Sequence, residues 1–270
     1  MSHIITVKGD ELVKITRFLA NEKIYYGTIQ DDVVQVIEGD IYGKFQITKQ
    51  TFDLQEVKLL APVEPGKVIG VGLNYLAHIS EFNRKPEAPE EPVIFMVSPT
   101  AIIGPEEEII LPYPEHENHH EAELVVVIGK EARSIPREMV NDYIFGYTCG
   151  NDVSDRNLQK ADKQWIRAKG FHTFKPLGPW IETQLNSTNL NIQSRVNGQL
   201  RQDSNTAKML HDVSVLVSFI SHIMTLYPGD VIYTGTPEGV GPLNAGDVCE
   251  IEISGIGILR NPVSTVSGNR

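Results

Sequence analysis

Residues 119–130 read HHEAELVVVIGK, and this stretch decides the fold class. Residues 124–128 are a run of apolar, mostly β-branched side chains with the length of a strand. A strand without polar alternation is covered on both faces, so we expect this one inside a layered β structure. Glu121 and Glu123 stand two apart just before the run. Because strand side chains alternate, both carboxylates should project from one face, about 7 Å apart along the strand.

Other segments outward from this run also have the composition of strands. They are VIFMV (93–97), EEIILP (107–112), YIFGYTCGND (143–152), DVIYTG (230–235) and VCEIEIS (248–254). Glycine and proline separate most of them. Helices are predicted over three short segments, at residues 136–142, 154–163 and 207–225. The sequence therefore predicts a β-rich α+β fold.

The N-terminal part of the chain has its own group of strands. KITRFL (14–19), KIYYGTIQ (23–30) and VVQVIEG (33–39) are broken at Asn21-Glu22 and at Asp31-Asp32. Prolines and a glycine follow at positions 62, 65 and 66, a composition typical of a domain boundary. We place the boundary near Pro62. This predicts a small N-terminal β-rich lobe over residues 1–61 and a main domain over residues 62–270.

Charge and composition exclude several classes of protein. The 270 residues include 35 acidic and 24 basic side chains, and the net charge of −11 has the wrong sign for a protein that neutralises phosphates. No nucleic-acid partner is expected. No apolar run has the length of a membrane span, and the first residues lack the layout of a secretory signal, so we expect a cytoplasmic protein with no membrane partner. Cys149 and Cys249 lie far apart and predict reduced, part-buried thiols.

Three carboxylates point to a metal. Two buried carboxylates on one face cannot both stay charged without a cation or hydrogen-bond donors. Asp152, at the end of the apolar segment 143–152, adds a third carboxylate at the rim of a sheet. Oxygen ligands of this kind favour Mg²⁺ or Mn²⁺ over zinc or copper. The alternative is a solvated strand end at which Glu121 and Glu123 simply face water.

The histidines have simpler interpretations. His116, His119 and His120 do not form the His-Glu-x-x-His pattern of a zinc site, and we interpret them as loop residues. His78 and Glu81 are three apart and would share one face of a helical turn, where a carboxylate can orient an imidazole. A surface ion pair is the alternative for these two residues.

Two glycine-rich segments have the composition of ligand loops. The segment 70–75, GVGLNY, has a tyrosine at the third glycine position of a dinucleotide fingerprint, so that interpretation fails. The segment 235–241, GTPEGVG, is a turn whose N–H groups could hold a carboxylate, although it is not a P-loop. Lys169, taken alone, is compatible with a solvated surface charge.

The motifs, taken in order, resemble the fumarylacetoacetate hydrolase (FAH) family. They are NYxxHxxE, ExE followed by VVIGK, GNDVSDRxxQ, AKGF with PLGPW, TGTPxGVG and GIGxLRNPV, running from about position 67 to position 263. The N-terminal strands also resemble the small leading lobe of shorter bacterial members. The resemblance implies an FAH-type mixed β-sandwich roll for the catalytic domain.

The resemblance also implies roles for particular residues. Those that would bind Mg²⁺ or Mn²⁺ are Glu121, Glu123 and Asp152. Those with catalytic roles are Lys169, beside the metal, and a water-activating pair, His78 and Glu81. Those near the substrate are Arg156, Gln159 and Thr236, the last helping to hold a substrate carboxylate.

The function implied is a Mg- or Mn-dependent hydrolase or decarboxylase of small 2-oxo or β-diketo acids, of acylpyruvate, oxaloacetate or fumarylacetoacetate type. A second hypothesis is an isomerase and decarboxylase of 2-hydroxyhepta-2,4-diene-1,7-dioate in aromatic breakdown. A third, of another class, is a catalytically silent protein that binds a metal and an oxo acid. Family members are commonly homodimers, so a homodimer is expected by analogy.

Two departures from the family pattern concern the pocket. Val97 stands where many relatives carry a lysine, so an anchoring charge is expected to be missing. His172 and Lys175 stand where many members carry an aspartate and an uncharged residue. A changed polarity is therefore expected along the segment after Lys169.

Overall fold

The computed structural model of this chain describes residues 14–82 and 87–266. The ends of the two predicted domains, residues 1–13 and 267–270, and residues 83–86 lie outside the described residues. The strands of the described part are β1 Lys14–Ala20, β2 Lys23–Gln30, β3 Val33–Gly39, β4 Phe45–Asp53, β5 Lys58–Leu59, β6 Val68–Gly72, β7 Val93–Val97, β8 Ile102–Ile103, β9 Ile109–Leu111, β10 Asn118–His120, β11 Ala122–Ile128, β12 Ile144–Asn151, β13 Ser154–Asp155, β14 Lys175–Glu182, β15 Asn191–Val196, β16 Gln199–Asn205, β17 Val231–Tyr233, β18 Gly241–Pro242, β19 Val248–Ile253 and β20 Gly257–Thr265. Its α-helices are α1 Leu76–Phe82, α2 Arg156–Ala161, α3 Ile166–Lys169 and α4 Val213–Ile223. Its 3₁₀ turns are Leu54–Glu56, Pro99–Ala101, Arg137–Asp142 and Thr206–Lys208.

The strands of the described ranges form three sheets. A twelve-stranded sheet runs in the order β4-β3-β2-β1-β14-β12-β11-β17-β6-β7, with β5 beside β1 and β8 beside β14. A five-stranded sheet runs in the order β16-β15-β19-β20-β9, and a three-stranded sheet joins β13, β10 and β18. The predicted β-rich α+β fold with a small N-terminal β lobe is confirmed.

Strand β11 lies within the large sheet and is buried along its whole length. Its even-numbered side chains, such as Leu124 and Val126, pack in a core cluster with Ile251 of the five-stranded sheet. Its odd-numbered side chains, Val125 and Val127, pack in a second cluster on the other face. Burial on both faces explains the unbroken apolar run, since each such side chain contributes roughly 1.5–3 kcal/mol when fully buried.

The N-terminal lobe is an antiparallel meander of β1 to β4. Left-handed residues make the predicted turns, with φ of 48° at Asn21, 61° at Glu22 and 54° at Asp31. The lobe continues into the large sheet because β1 pairs with β14. The three predicted strands are confirmed, whereas β4 was not predicted because its sequence, FQITKQTFD, is mostly polar. The exact boundary near Pro62 stays a prediction.

The predicted helices are shorter than expected. The segment 136–142 is a 3₁₀ turn, and the segment 154–163 opens with β13 before α2 begins. The segment 207–225 becomes α-helical only at Val213, because Asp212 caps the helix by accepting from the Val215 N–H at 2.9 Å. Just before the cap, the His211 N–H donates to the Asn74 side chain at 2.8 Å, which holds the chain away from the helix axis.

The described part of the chain contains no helix that is both long enough and apolar enough to cross a membrane.

Candidate active site

The three predicted carboxylates meet where β11 and β12 pair. Glu123 lies in β11, Glu121 directly precedes it, and Asp152 directly follows β12. The Asp152 N–H donates to the Glu121 carbonyl at 2.9 Å, which brings these two residues side by side. One oxygen from each carboxylate lies within 4.8 Å of the others, and all three side chains are buried. Among the described residues, no other group of three or more His, Cys, Asp or Glu side chains has this geometry.

The protein compensates the negative charge of Glu121 more fully than that of Glu123. Burial raises the pKa of Glu121, but the nearby Lys169 and Arg156 outweigh it and hold that pKa well below its usual range. Burial raises the pKa of Glu123 as well, and the charges of Asp152 and Glu121 raise it further. Glu123 therefore needs a cation to remain charged in this place. A buried triad of hard oxygen donors with this deficit fits a divalent metal such as Mg²⁺ or Mn²⁺.

Lys169 lies at the end of α3, and its amino group reaches into the triad. Its Nζ lies 2.8 Å from Glu121 Oε2, 2.7 Å from Asp152 Oδ2 and 2.8 Å from Ser154 Oγ. The ammonium also lies 5.2 Å from the centre of the Phe95 ring. Burial lowers the pKa of Lys169, but the adjacent Asp152 and Glu121 raise it above its ordinary value. The surface-charge interpretation of Lys169 is therefore wrong.

The three residues that depart from the family pattern, Val97, His172 and Lys175, lie at different distances from the triad. Val97 is buried in β7, and Lys175 projects from β14 so that its Nζ lies 2.6 Å from Asp152 Oδ1. The expectation of a missing charge at Val97 is incomplete, because Lys175 brings a buried cation to the triad from another strand. His172 is exposed, and its Nδ1 lies 3.1 Å from the Thr100 carbonyl oxygen.

His78 and Glu81 form the predicted pair on α1. His78 Nδ1 lies 2.9 Å from Glu81 Oε2, and the other Glu81 oxygen accepts a hydrogen bond from the Gly239 N–H at 2.7 Å. His78 is largely buried and lines the cavity described below. Glu81 thus connects α1 to the glycine-rich turn, which a free surface pair would not do.

The glycine-rich turn 235–241 binds carboxylates of the protein itself. The Gly235 N–H donates to Glu123 Oε2 at 2.7 Å, and Gly239 holds Glu81. Thr236 faces the cavity, and its hydroxyl oxygen accepts from Gln202 Nε2 at 2.8 Å. This hydrogen bond uses a lone pair and not the O–H, so the Thr236 hydroxyl can still donate to a ligand in the cavity.

Gln202 was not predicted as part of the site. Its Nε2 also donates to the Pro237 carbonyl at 2.8 Å, and its Oε1 accepts from the Ala122 N–H at 2.9 Å. Gln202 thus connects the turn with the start of β11, between the two glutamates. Nothing in the polar segment QLRQDSN marks this residue, because a single glutamine among polar neighbours has no distinctive spacing.

Arg156 and Gln159 extend the polar side of the site along α2. One Arg156 amino group donates to Glu121 Oε1 at 2.5 Å and the other to Gln159 Oε1 at 2.6 Å. Asp155 starts α2 as its cap, accepting from the Leu158 N–H at 3.0 Å. Arg156 therefore supports a triad carboxylate directly, and the Gln159 amide N–H groups remain available to a ligand.

These residues border one cavity of about 300 Å³. Its lining residues are Val71, Gly72, Leu73, His78, Glu121, Glu123, Arg156, Gln159, Lys160, Trp165, Lys169 and Thr236. Val71, Leu73 and Trp165 supply an apolar part of the cavity wall. Gly72 allows this wall to close, because a Cβ there would lie 2.4 Å from the Trp165 ring.

The prediction that the three histidines before the triad are loop residues is wrong for His119 and His120. His119 and His120 belong to β10 and are buried, so they are not loop residues. His120 Nδ1 lies 3.2 Å from Gln202 Oε1, and burial lowers the pKa of His120 to about 4, which keeps its ring neutral. His116 lies with its Nδ1 2.7 Å from Asp155 Oδ2, at the cap of α2.

The fold and the site define a β-rich α+β protein with a buried acidic triad consistent with a divalent metal centre. Residues 67–264 match the family model described as fumarylacetoacetate (FAA) hydrolase C-terminal, and residues 13–62 match the model described as Rv2993c-like, N-terminal. The chain belongs to the fumarylacetoacetate hydrolase family.

Similar proteins carry several different enzyme names. The chain is 43% identical to oxaloacetate tautomerase fahd2, mitochondrial, of Xenopus laevis over 77% of this chain and 68% of the relative. A crystal structure of 5-carboxymethyl-2-hydroxymuconate delta-isomerase from Mycobacterium smegmatis is 45% identical, with a TM-score of 0.87 over 93% of this chain and 99% of that one. Maleylpyruvate hydrolase from Sphingobium sp. SYK-6, solved with manganese(II) and pyruvate, is 30% identical, with a TM-score of 0.78 over 93% and 99% of the two chains.

Proposed function

We propose that this protein is a divalent-metal-dependent enzyme that hydrolyses or decarboxylates small 2-oxo or β-diketo acids. One observation carries the proposal: a single cavity is bordered by Glu121, Glu123, Lys169 and His78. This arrangement combines a site for a metal, a fixed positive charge and an imidazole that can move a proton. The manganese and pyruvate in the similar maleylpyruvate hydrolase support the choice of metal and of a 2-oxo acid.

Bound Mg²⁺ or Mn²⁺ would supply a Lewis acid that stabilises negative charge on the C2 oxygen of the oxo acid. Lys169, already charged and buried, stabilises the same negative charge electrostatically. The Thr236 hydroxyl and the Gln159 amide donate hydrogen bonds to the substrate carboxylate. His78 accepts a proton from the attacking water, and Glu81 fixes the orientation of the imidazole ring.

A second candidate is proton transfer at C3 without cleavage, as in a tautomerase or in an isomerase of 2-hydroxyhepta-2,4-diene-1,7-dioate. The names of the frog and mycobacterial relatives favour this candidate. Lys160, a lining residue with an exposed side chain, offers a cation for a second carboxylate at the rim of the cavity. In this case His78 moves a proton to or from C3 rather than from water.

Product analysis separates these candidates. The protein is incubated with oxaloacetate or acetylpyruvate, with Mg²⁺ or Mn²⁺ and with excess EDTA. Hydrolysis releases pyruvate with a second acid, decarboxylation releases carbon dioxide, and tautomerisation changes the enol absorbance with no loss of substrate mass. EDTA and Glu123→Ala should each abolish turnover. If His78→Ala leaves turnover unchanged, the proton-transfer role of His78 is wrong.

The same experiment tests the third hypothesis, a silent binding protein. Mn²⁺ and an oxo acid would then raise the thermal midpoint of the protein, while none of the substrates is converted. A cytoplasmic location remains the expectation from the sequence and a homodimer the expectation from the family analogy, and light scattering of the purified protein checks the dimer.

A further inference from the structure

Trp165 supplies an aromatic wall to the cavity, and its place is tied to that of Lys169. It directly precedes α3, and the Lys169 N–H donates to the Trp165 carbonyl oxygen at 3.0 Å. The two side chains are therefore one helical turn apart, and both line the cavity. The indole ring thus lies next to the lysine that meets the C2 oxygen of the oxo acid in the proposed reaction.

The Gly-x-Gly pair of β6 fixes the position of this ring. Gly70 and Gly72 stand two apart and face the same side of the strand. A Cβ at Gly72 would lie 2.4 Å from the Trp165 ring, and a Cβ at Gly70 would lie 2.1 Å from the Phe95 ring. The two rings meet edge to face, with centroids 5.5 Å apart and an interplanar angle of 71°. Trp165 therefore cannot retreat toward β6, and the pair has a role other than binding a dinucleotide.

The cavity lining divides into a charged part and an apolar part. The charged part includes Glu121, Glu123, Arg156 and Lys169, and the apolar part is Val71, Leu73 and Trp165. The carboxylate and the oxo group of a ligand belong with the charged part, because apolar side chains would leave them without partners. The carbons beyond C3 are left to the apolar part. The volume of about 300 Å³ is at the lower end of the size range of ligand pockets.

We propose that Trp165 determines specificity for the size of the substrate. Its ring packs against the carbons beyond C3 and limits the length of that chain. Gly72 is a positioning residue that acts through Trp165. The inference rests on the proposed function and deepens it, because it restricts the substrates to 2-oxo and β-diketo acids with a short group beyond C3.

The test is the binding of linear 2-oxo acids, from pyruvate to 2-oxooctanoate, to the whole protein in the presence of Mn²⁺, measured by calorimetry. These acids share the chelating end and differ in chain length, and oxalate, which has no chain, is the reference. In the wild type, affinity should fall at least about tenfold from the best short acid to 2-oxooctanoate. Trp165→Ala should raise the affinity for 2-oxooctanoate, relative to oxalate, by about tenfold or more. Gly72→Ala should shorten the longest chain that binds, because the new methyl group displaces the ring into the cavity.

Two further variants support the interpretation. Trp180→Phe replaces the second of the two tryptophans, which does not line the cavity, and should leave the affinities for the whole series unchanged. In this variant the fluorescence comes from Trp165 alone, so 2-oxopentanoate should change the emission more than oxalate does. Trp165→Phe keeps a smaller aromatic ring and serves if Trp165→Ala does not fold, with the same expected direction and a smaller effect.

The same dependence on chain length in the wild type and in the Trp165 variants overturns the proposal. An equal loss of affinity for oxalate and for the long acids also overturns it, because that result is expected of a purely structural tryptophan. If the wild type binds 2-oxooctanoate as tightly as the short acids, the proposal fails even when neither variant folds. Because no turnover is measured, these failures leave the proposed reaction standing. Conversely, a protein that shows the length limit but converts no oxo acid would sink the proposed function alone.

Discussion

Gly170 determines how Lys169 enters the triad. The chain leaves α3 at this residue, and a Cβ there would lie 2.4 Å from the carbonyl oxygen of Ile166. That oxygen belongs to the same short turn that carries Lys169, so it cannot move without moving the lysine. We predict that Gly170→Ala lowers stability by about 1–3 kcal/mol and lowers kcat by displacing the Lys169 amino group. Urea unfolding and steady-state kinetics measure the two effects, and an unchanged kcat would show that Lys169 tolerates the shift.

Thr236 provides a second prediction for a single residue. Gln202 donates to the Thr236 hydroxyl oxygen, which leaves the Thr236 O–H available to donate to a substrate carboxylate in the cavity that Thr236 lines. Thr236→Val keeps the shape and removes the donor, so KM should rise about tenfold or more, as for a hydrogen bond to a charged group. Thr236→Ser keeps the hydroxyl and should restore most of the affinity. Equal KM values for the wild type and Thr236→Val would exclude the assigned contact.

Single residues were predictable to different degrees. The spacing of Glu121 and Glu123 indicates one strand face, and the apolar run after them indicates burial. Lys169 was identified only through the family resemblance, because one lysine in a short segment has no local signature. Gln202 was missed for the same reason. The contact between Lys175 and Asp152 depends on how β14 lies against β12, and that pairing is absent from any local pattern.

Among the larger elements, the hairpin of β15 and β16 was also missed, although a signal for it exists. The strands pair antiparallel, and Asn197 and Gly198 link them with φ of 53° and 75°. An Asn-Gly pair between segments of strand composition is a strong indicator of a hairpin. The hairpin also brings Gln202 to the glycine-rich turn, a tertiary contact that the local signal does not predict.

The glycine-rich turn and α1 depend on each other through Gly239. This residue has a φ of +94°, and a Cβ there would lie 2.3 Å from the Arg201 carbonyl oxygen. We predict that Gly239→Ala displaces the turn and breaks its hydrogen bond to Glu81. His78 then loses its orientation, and kcat should fall by about tenfold or more, as expected for impaired general acid–base catalysis. Hydrogen exchange should also quicken in α1.

Gly246→Ala is the matched control for this prediction. Gly246 has a similar φ of +90°, but nothing lies within 4 Å of the added Cβ. This variant should lose only about 1 kcal/mol of stability, the strain of a left-handed alanine, with kcat and exchange in α1 unchanged. If both glycine variants behave alike, backbone strain rather than the contact with Glu81 explains the result.

At the scale of the whole molecule, the two large sheets share one core and each carries a buried thiol. Cys149 lies in β12 of the twelve-stranded sheet, and Cys249 lies in β19 of the five-stranded sheet. Both cysteines are free, as predicted, although they are fully buried rather than part-buried. The Asn151 amide donates to the Cys249 sulfur at 3.4 Å, so a side chain next to the triad also packs at the junction of the sheets. The site and the core are thus supported by the same strands.

This shared core predicts how stability and thiol reactivity depend on pH. Burial raises the pKa of Cys249 to about 12, and burial also raises the pKa of Cys149. An unfolded thiol has a pKa of about 8.5, so between these values the folded state holds protons that the unfolded state releases. Stability from the thiols is therefore complete below about pH 8.5 and falls above it, by up to about 1.4 kcal/mol per pH unit for each thiol. Urea midpoints between pH 7.5 and 10 should show the fall, and Cys249→Ala should reduce its slope.

Iodoacetamide should label neither thiol in the native protein at pH 8, and both should react at one rate once urea opens the core. Rapid labelling of Cys249 alone would mean that the five-stranded sheet opens independently.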